Sequence, residues 1–131
     1  MRIKSTPNGL ITLTIDGGGS AIVAPTIPIY LPLTGMLGKI LGWTMLGDNA
    51  GGSCVVDVWK SIYPAVPTIA NTIVAAAPPT LTAQVKNQAL AVPTWPDVVI
   101  SSSDVLAFYV NSCSLHKRVT LALSIARGKP E

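Results

Sequence analysis

The stretch Val119-Thr120-Leu121-Ala122-Leu123-Ser124-Ile125-Ala126 decides the fold. Val119, Leu121, Leu123 and Ile125 alternate with Thr120, Ala122, Ser124 and Ala126. Successive side chains of a strand point to opposite faces, so a period of two is a strand signature, whereas a helix repeats every 3.6 residues. The second face is small rather than charged, which predicts a strand covered on both sides.

The same period recurs outward from this stretch. Leu106, Phe108 and Val110 alternate with Ala107 and Tyr109, after a polar turn at Ser101-Ser102-Ser103-Asp104. In Ser53–Lys60, Cys54, Val56 and Val58 share one face, and Val55, Asp57 and Trp59 share the other. Ile11, Leu13 and Ile15 oppose Thr12, Thr14 and Asp16. The run Asp16-Gly17-Gly18-Gly19-Ser20 reads as a turn, with a return strand expected at Ala21–Ala24. Pro25–Leu33 must be extended, because prolines at that spacing suit neither helix nor central strand. A further strand is predicted over Lys39–Leu46, joined to Ser53–Lys60 as a hairpin through Gly47–Gly52.

From Ser61 to Pro96 the alternation fades into Pro, Ala, Thr, Asn and Gln. Ile69–Ala77 has room for one helical turn or two, stopped by Pro78-Pro79, but a long excursion on the rim of the sandwich is the expectation, and a short strand is expected at Trp95–Ile100. A long loop in a small fold usually carries a contact or a function, so this segment is the first place to seek an interface. Seven or eight short strands with Gly/Pro/Asn/Asp turns predict an all-β chain. The expected architecture is a single β-sandwich, jelly-roll-like, with a long Pro/Ala-rich loop and residues 1–131 forming one domain.

Composition bears on the surroundings. Hydrophobic residues make up 49% and charged residues 11% of 131, less than half the usual charged share of about 25%. The expectation is a surface partly covered by neighbouring subunits. The mean hydropathy of +0.50 raises a membrane span as the competitor. However, the long uncharged stretches Gly17–Gly38 and Ser61–Val85 are broken by Pro25, Pro28, Pro32, Pro64, Pro67, Pro78 and Pro79, which no spanning helix tolerates at that density. Met1–Ser5 lacks the apolar stretch and cleavage site of a signal peptide. The net charge of +3 is scattered, with Lys117-Arg118 adjacent, so no nucleic-acid stripe is expected.

Groups able to do chemistry are few. His116 stands beside Lys117 and Arg118 and is expected as an exposed turn residue, since a catalytic base needs an orienting partner. Glu131 is the sole glutamate. Asp16, Asp48 and Asp104 fall at apparent turns, where aspartate commonly shapes the backbone, and their spacing requests no calcium site. Asp57 lies mid-strand and is expected to make a structural polar contact, with Lys60 and Lys39 as candidate partners. Gly17–Ser20 lacks the Lys-Ser/Thr ending of a phosphate loop. Trp43, Trp59 and Trp95 are candidates for core, interface or glycan stacking. Cys54 and Cys113 fit neither a metal knuckle nor a redox motif. They read as free thiols, Cys54 opening a strand and Cys113 in a turn, with a disulfide left open because sequence does not fix its geometry. No catalytic, cofactor-binding or metal-ligating residue is assigned, and no cofactor.

The segment Gly52-Ser53-Cys54-Val55-Val56-Asp57-Val58-Trp59-Lys60-Ser61-Ile62-Tyr63-Pro64 resembles a β-sandwich module of tailed-bacteriophage virion proteins. In that module a Gly-Ser-x-Val-Val-Asp-Ile-Trp-Lys strand enters a Tyr- and Pro-containing loop. The likeness extends to Ile15–Ile22, Ala77–Leu81, Trp95, Ser102–Val110 and Arg118–Leu123, and is weakest over Pro25–Leu37. It implies a virion component without a catalytic residue. Fibres attach such a domain to a long shaft, for which this length leaves no room. The expectation is therefore a head decoration or cement protein on the capsid surface, not an enzyme. It would be a homo-oligomer, trimer favoured, contacting the major capsid protein or other virion proteins, with no nucleic acid and no membrane. The alternative is a tail or fibre module binding a host receptor or glycan through the Ser61–Pro96 loop and exposed tryptophans.

Overall fold

The alternating stretch at the C-terminal end is the spine of one sheet. A computed structural model of the chain describes residues 8–128. In it Arg118–Arg127 forms the last strand, with Val119, Leu121, Leu123 and Ile125 fully buried and the small outer-face residues Thr120, Ala122, Ser124 and Ala126 half-buried. In chain order the strands are β1 Asn8–Asp16, β2 Ile29–Pro32, β3 Gly38–Leu46, β4 Ser53–Ile62, β5 Thr80–Leu81, β6 Lys86–Ala89, β7 Val99–Ile100, β8 Asp104–Ser114 and β9 Arg118–Arg127.

They pair into two antiparallel sheets, ordered β1-β9-β3-β6 and β2-β8-β4-β5, with the two-residue β7 also pairing β3. With β7 set aside, this alternation of sheets along the chain is the connectivity of a jelly roll, so the chain is an all-β sandwich of the expected kind. The two inner faces meet in one core. Ile11, Ile15, Ile40, Trp43 and Met45 face Cys54, Val56, Val58, Leu106, Phe108 and Val110 across it. Truncating any of the fully buried leucines to alanine would cost about 2–5 kcal/mol.

Several local expectations are overturned. Lys39–Leu46 and Ser53–Lys60 are both strands but not a hairpin. β3 is flanked by β9 and β6, and β4 by β8 and β5, so both sides of each are taken and Gly47–Gly52 crosses between the sheets. Ala21–Ala24 is not a strand. Ile22 leaves the edge to plug the core, its N–H donating to the His116 carbonyl at 2.8 Å. Of Trp95–Ile100, Val99–Ile100 is strand, because Trp95 turns inward and its Nε1–H donates to the Ala77 carbonyl at 2.8 Å. By contrast, the single helical turn allowed within Ile69–Ala77 does form, as a 3-10 turn at Ile69–Asn71. The Ser61–Pro96 segment is not all loop: β5 and β6 lie within it and complete the two sheets.

Candidate assembly surface

β4 carries a different structure at each of its ends. At its start the Gly47–Gly52 crossover closes over His116. The expectation of an exposed turn histidine is wrong: the side chain is fully buried. Its Nδ1 accepts the N–H groups of Asp48 at 3.2 Å and Asn49 at 3.3 Å. Gly47 and Gly52 pack flat on the ring, where a Cβ would lie 2.4 and 2.7 Å from its atoms. Asp48 Oδ1 in turn accepts the Lys117 N–H at 2.9 Å. This histidine therefore ties the β3–β4 crossover to the β8–β9 turn. Two adjacent cations suggested solvent, but the glycines on either side of the crossover were the sign of a flat group beneath them.

The turn aspartates behave mostly as expected. Asp16 accepts the Gly18 N–H at 2.8 Å and pairs with Arg118 at 3.0 Å, and these contacts, the backbone bond first, hold its carboxyl below the usual value. Asp48 is lowered likewise, chiefly by the Lys117 backbone N–H. Asp104 also shapes its turn, Ser101–Asp104, and is buried besides. At the head of β8, it accepts the Ser101 N–H at 2.7 Å and lies 3.8 Å from Lys60 Nζ. Lys60 also meets Asp97 and the Val99 carbonyl, each at 2.6 Å, joining the end of β4 to β7 in the other sheet.

Lys60 is thus engaged elsewhere and Asp57 takes other partners. Its Oδ2 accepts Trp59 Nε1–H at 2.9 Å and its Oδ1 accepts Thr72 Oγ1–H at 2.6 Å. Trp59 stacks on Tyr109 with ring centroids 4.9 Å apart. Asp57 therefore fixes the loop that leaves the far end of β4. That loop is further held by Ile73 N–H on the Val58 carbonyl, Tyr63 N–H on the Ser103 carbonyl, and Ser61 Oγ–H on the Ala65 carbonyl. Thr68 N–H donates to Asn71 Oδ1 at 2.8 Å, closing the 3-10 turn.

This well-held loop presents apolar side chains to water. Ile62 is 67% exposed, Tyr63 72%, Val66 62% and Ile69 64%. No charged residue occurs from Ser61 to Val85. Single exposed apolar residues are ordinary on a protein surface, so what makes this loop a candidate contact surface is that several of them sit together on a fixed, uncharged segment. Burying each side chain would contribute about 1.5–3 kcal/mol before the costs of association.

The tryptophans offer no stacking platform, since Trp43, Trp59 and Trp95 are all buried. Cys54 and Cys113 are free thiols directly opposite each other across β4 and β8, so Cys113 sits within a strand and not in a turn. Burial pushes the Cys54 thiol up to about 12 and raises that of Cys113. Among the described residues, no three of His, Cys, Asp and Glu converge as a metal site, and no helix is long and apolar enough to cross a membrane.

No family model matches the chain. No curated protein matches it either. Among solved structures, it is similar to a chain in the structure of infectious bursal disease virus, Gx strain, at 15% identity and a TM-score of 0.36. The match covers 98% of this chain and 33% of that one, so the present chain spans about a third of its length.

Proposed function

We propose that this chain is a structural protein of a virus particle, of the phage head decoration or cement type. It binds the capsid surface as a homo-oligomer, with a trimer favoured, and stabilises the shell through contacts to the major capsid protein. The observation that carries this reading is the uncharged loop at the end of β4, which holds Ile62, Tyr63, Val66 and Ile69 in water on a framework of backbone and side-chain bonds. The charged share of 11% and the resemblance of Gly52–Pro64 to phage virion modules support it further. The proposal includes no catalytic role: Asp57, Asp104 and His116 are each committed to bonds that hold loops in place.

The reading is tested by adding the purified chain to capsid shells that lack it. Co-sedimentation at a fixed stoichiometry and a higher disruption temperature of the shell are expected. A chain that stays in the supernatant and leaves shell stability unchanged would refute the capsid role. Binding of the isolated protein to host cells or glycans instead would favour the tail-module alternative.

A further inference from the structure

The four sheet edges are unequal. β2 is four residues long and ends in Pro32, β5 is two residues long, and β6 is four residues long and begins with Lys86. Short length, proline and lysine are the usual defences of an edge against pairing with another chain. β1 has none of them. It runs nine residues, Asn8–Asp16, without proline, lysine or arginine, and its register with β9 is unbroken. Among the described residues no strand lies on its other side.

The direction of its free backbone groups follows from the register. Asp16 lies opposite Arg118, and the next residue, Gly17, donates its N–H to the Lys117 carbonyl at 2.8 Å. Bonded and non-bonded pairs alternate along an antiparallel ladder. Ile15, Leu13 and Ile11 are therefore bonded to β9, and the N–H and C=O groups of Leu10, Thr12 and Thr14 point outward. Thr12 is the midpoint of the strand.

We infer that β1 pairs with β1 of a second copy of this chain, antiparallel and two-fold symmetric about Thr12. This rests on the assembly reading above and names one of its contacts. In that register Thr12 faces Thr12 of the partner subunit and Leu10 faces Thr14 of the partner subunit, each through outward-pointing backbone groups. On the inner face Ile11 lies beside Leu13 of the partner subunit. Asp16 falls opposite Asn8 of the partner subunit, so no like charges meet. Threonine pairs and apolar pairs are favourable across strands, and like charges are not. The same pairing covers the groove between the β1 and β2 edges, lined by Leu10, Ile11, Leu31, Leu33 and Met36. An isologous contact of this kind makes pairs. A three-fold arrangement would use a different face, for which the loop at the end of β4 is available.

The test is sedimentation velocity of the full chain over a wide concentration range, with variants. Wild type should show concentration-dependent dimers or multiples of dimers. Thr12→Pro removes an outward N–H without touching the β9 ladder, and should stay folded by circular dichroism while losing the two-fold contact. Thr12→Cys should give a disulfide dimer through residue 12 with oxidised glutathione, because a bonded pair sets its Cα atoms about 5.5 Å apart, within disulfide range. Thr14→Cys should not, since its counterpart lies about 14 Å away along the strand. An oligomer unchanged by Thr12→Pro, or a wild-type oligomer whose Thr12→Cys variant forms no residue-12 cross-link, would overturn the pairing and leave the assembly reading standing. A wild-type chain that is monomeric at every concentration would overturn both this pairing and the homo-oligomer.

Discussion

The two ends of β4 solve opposite problems. At the Ser53 end a buried histidine fills the space under two glycines and accepts two backbone N–H groups, so the crossover is locked by its interior. At the Ile62 end the loop is tied down through Asp57 and Thr72, while its large apolar side chains face outward. The first end is committed to folding. The second separates what fixes its shape from what it displays, as the proposed contact surface requires.

Substitutions at the locked end should therefore have the largest effects on stability. His116→Ala removes a buried ring and leaves the Asp48 and Asn49 N–H groups without their acceptor, at an expected cost of about 3–5 kcal/mol, read from urea unfolding. Gly47→Ala places a Cβ against that ring and should cost about 2–3 kcal/mol, with no comparable effect from Gly18→Ser, where open space surrounds the position but positive φ adds a small strain. If both ends proved equally tolerant, the contrast would fail.

At the other end Asp57→Ala should cost less, about 1–2 kcal/mol, since its bonds are partly exposed. Its more telling effect is local. Hydrogen exchange at Thr72, Ile73 and the 3-10 turn should accelerate while the β9 amides keep their protection.

Acid should act through the locked end. The hydrogen bonds to Asp16 and Asp48 hold both carboxyls below the usual carboxylate range in the folded chain. Depressed values of this kind add stability that is complete above the unfolded value and is lost as pH falls through the folded one. Melting measured from pH 6 downward should fall off below about pH 4, and Asp48→Asn should flatten that part of the curve. A high Cys54 value predicts a slow reaction with thiol reagents at pH 8 in the folded chain, and a fast one in urea.

Much of this architecture was legible because a two-residue period is a local signal. Val119–Ala126, Ile11–Ile15 and Cys54–Trp59 all read as strands with their inward faces named. Pairing was less legible. A Gly/Asn/Asp turn between two strands suits a hairpin and a sheet-to-sheet crossover equally, and the choice at Gly47–Gly52 depends on β9, which lies more than sixty residues away. The same distance hid His116, whose burial is set by a crossover remote in sequence. Asp57 makes a polar contact, as its mid-strand place suggests, but with Trp59 and Thr72 in place of Lys60 or Lys39, and neither carries a charge to mark it. The Ser61–Pro96 segment stands out in the sequence by its proline density and by the lack of charge from Ser61 to Val85, but β5 and β6 within it do not, because their partners are distant strands.

The contrast between the two ends is tested most directly by the double substitution Ile62→Ser with Ile69→Ser. Its side chains are exposed, so melting should match wild type within about 0.5 kcal/mol, while co-sedimentation with capsid shells should drop to background. A variant that melts as wild type and binds shells just as tightly would contradict the account.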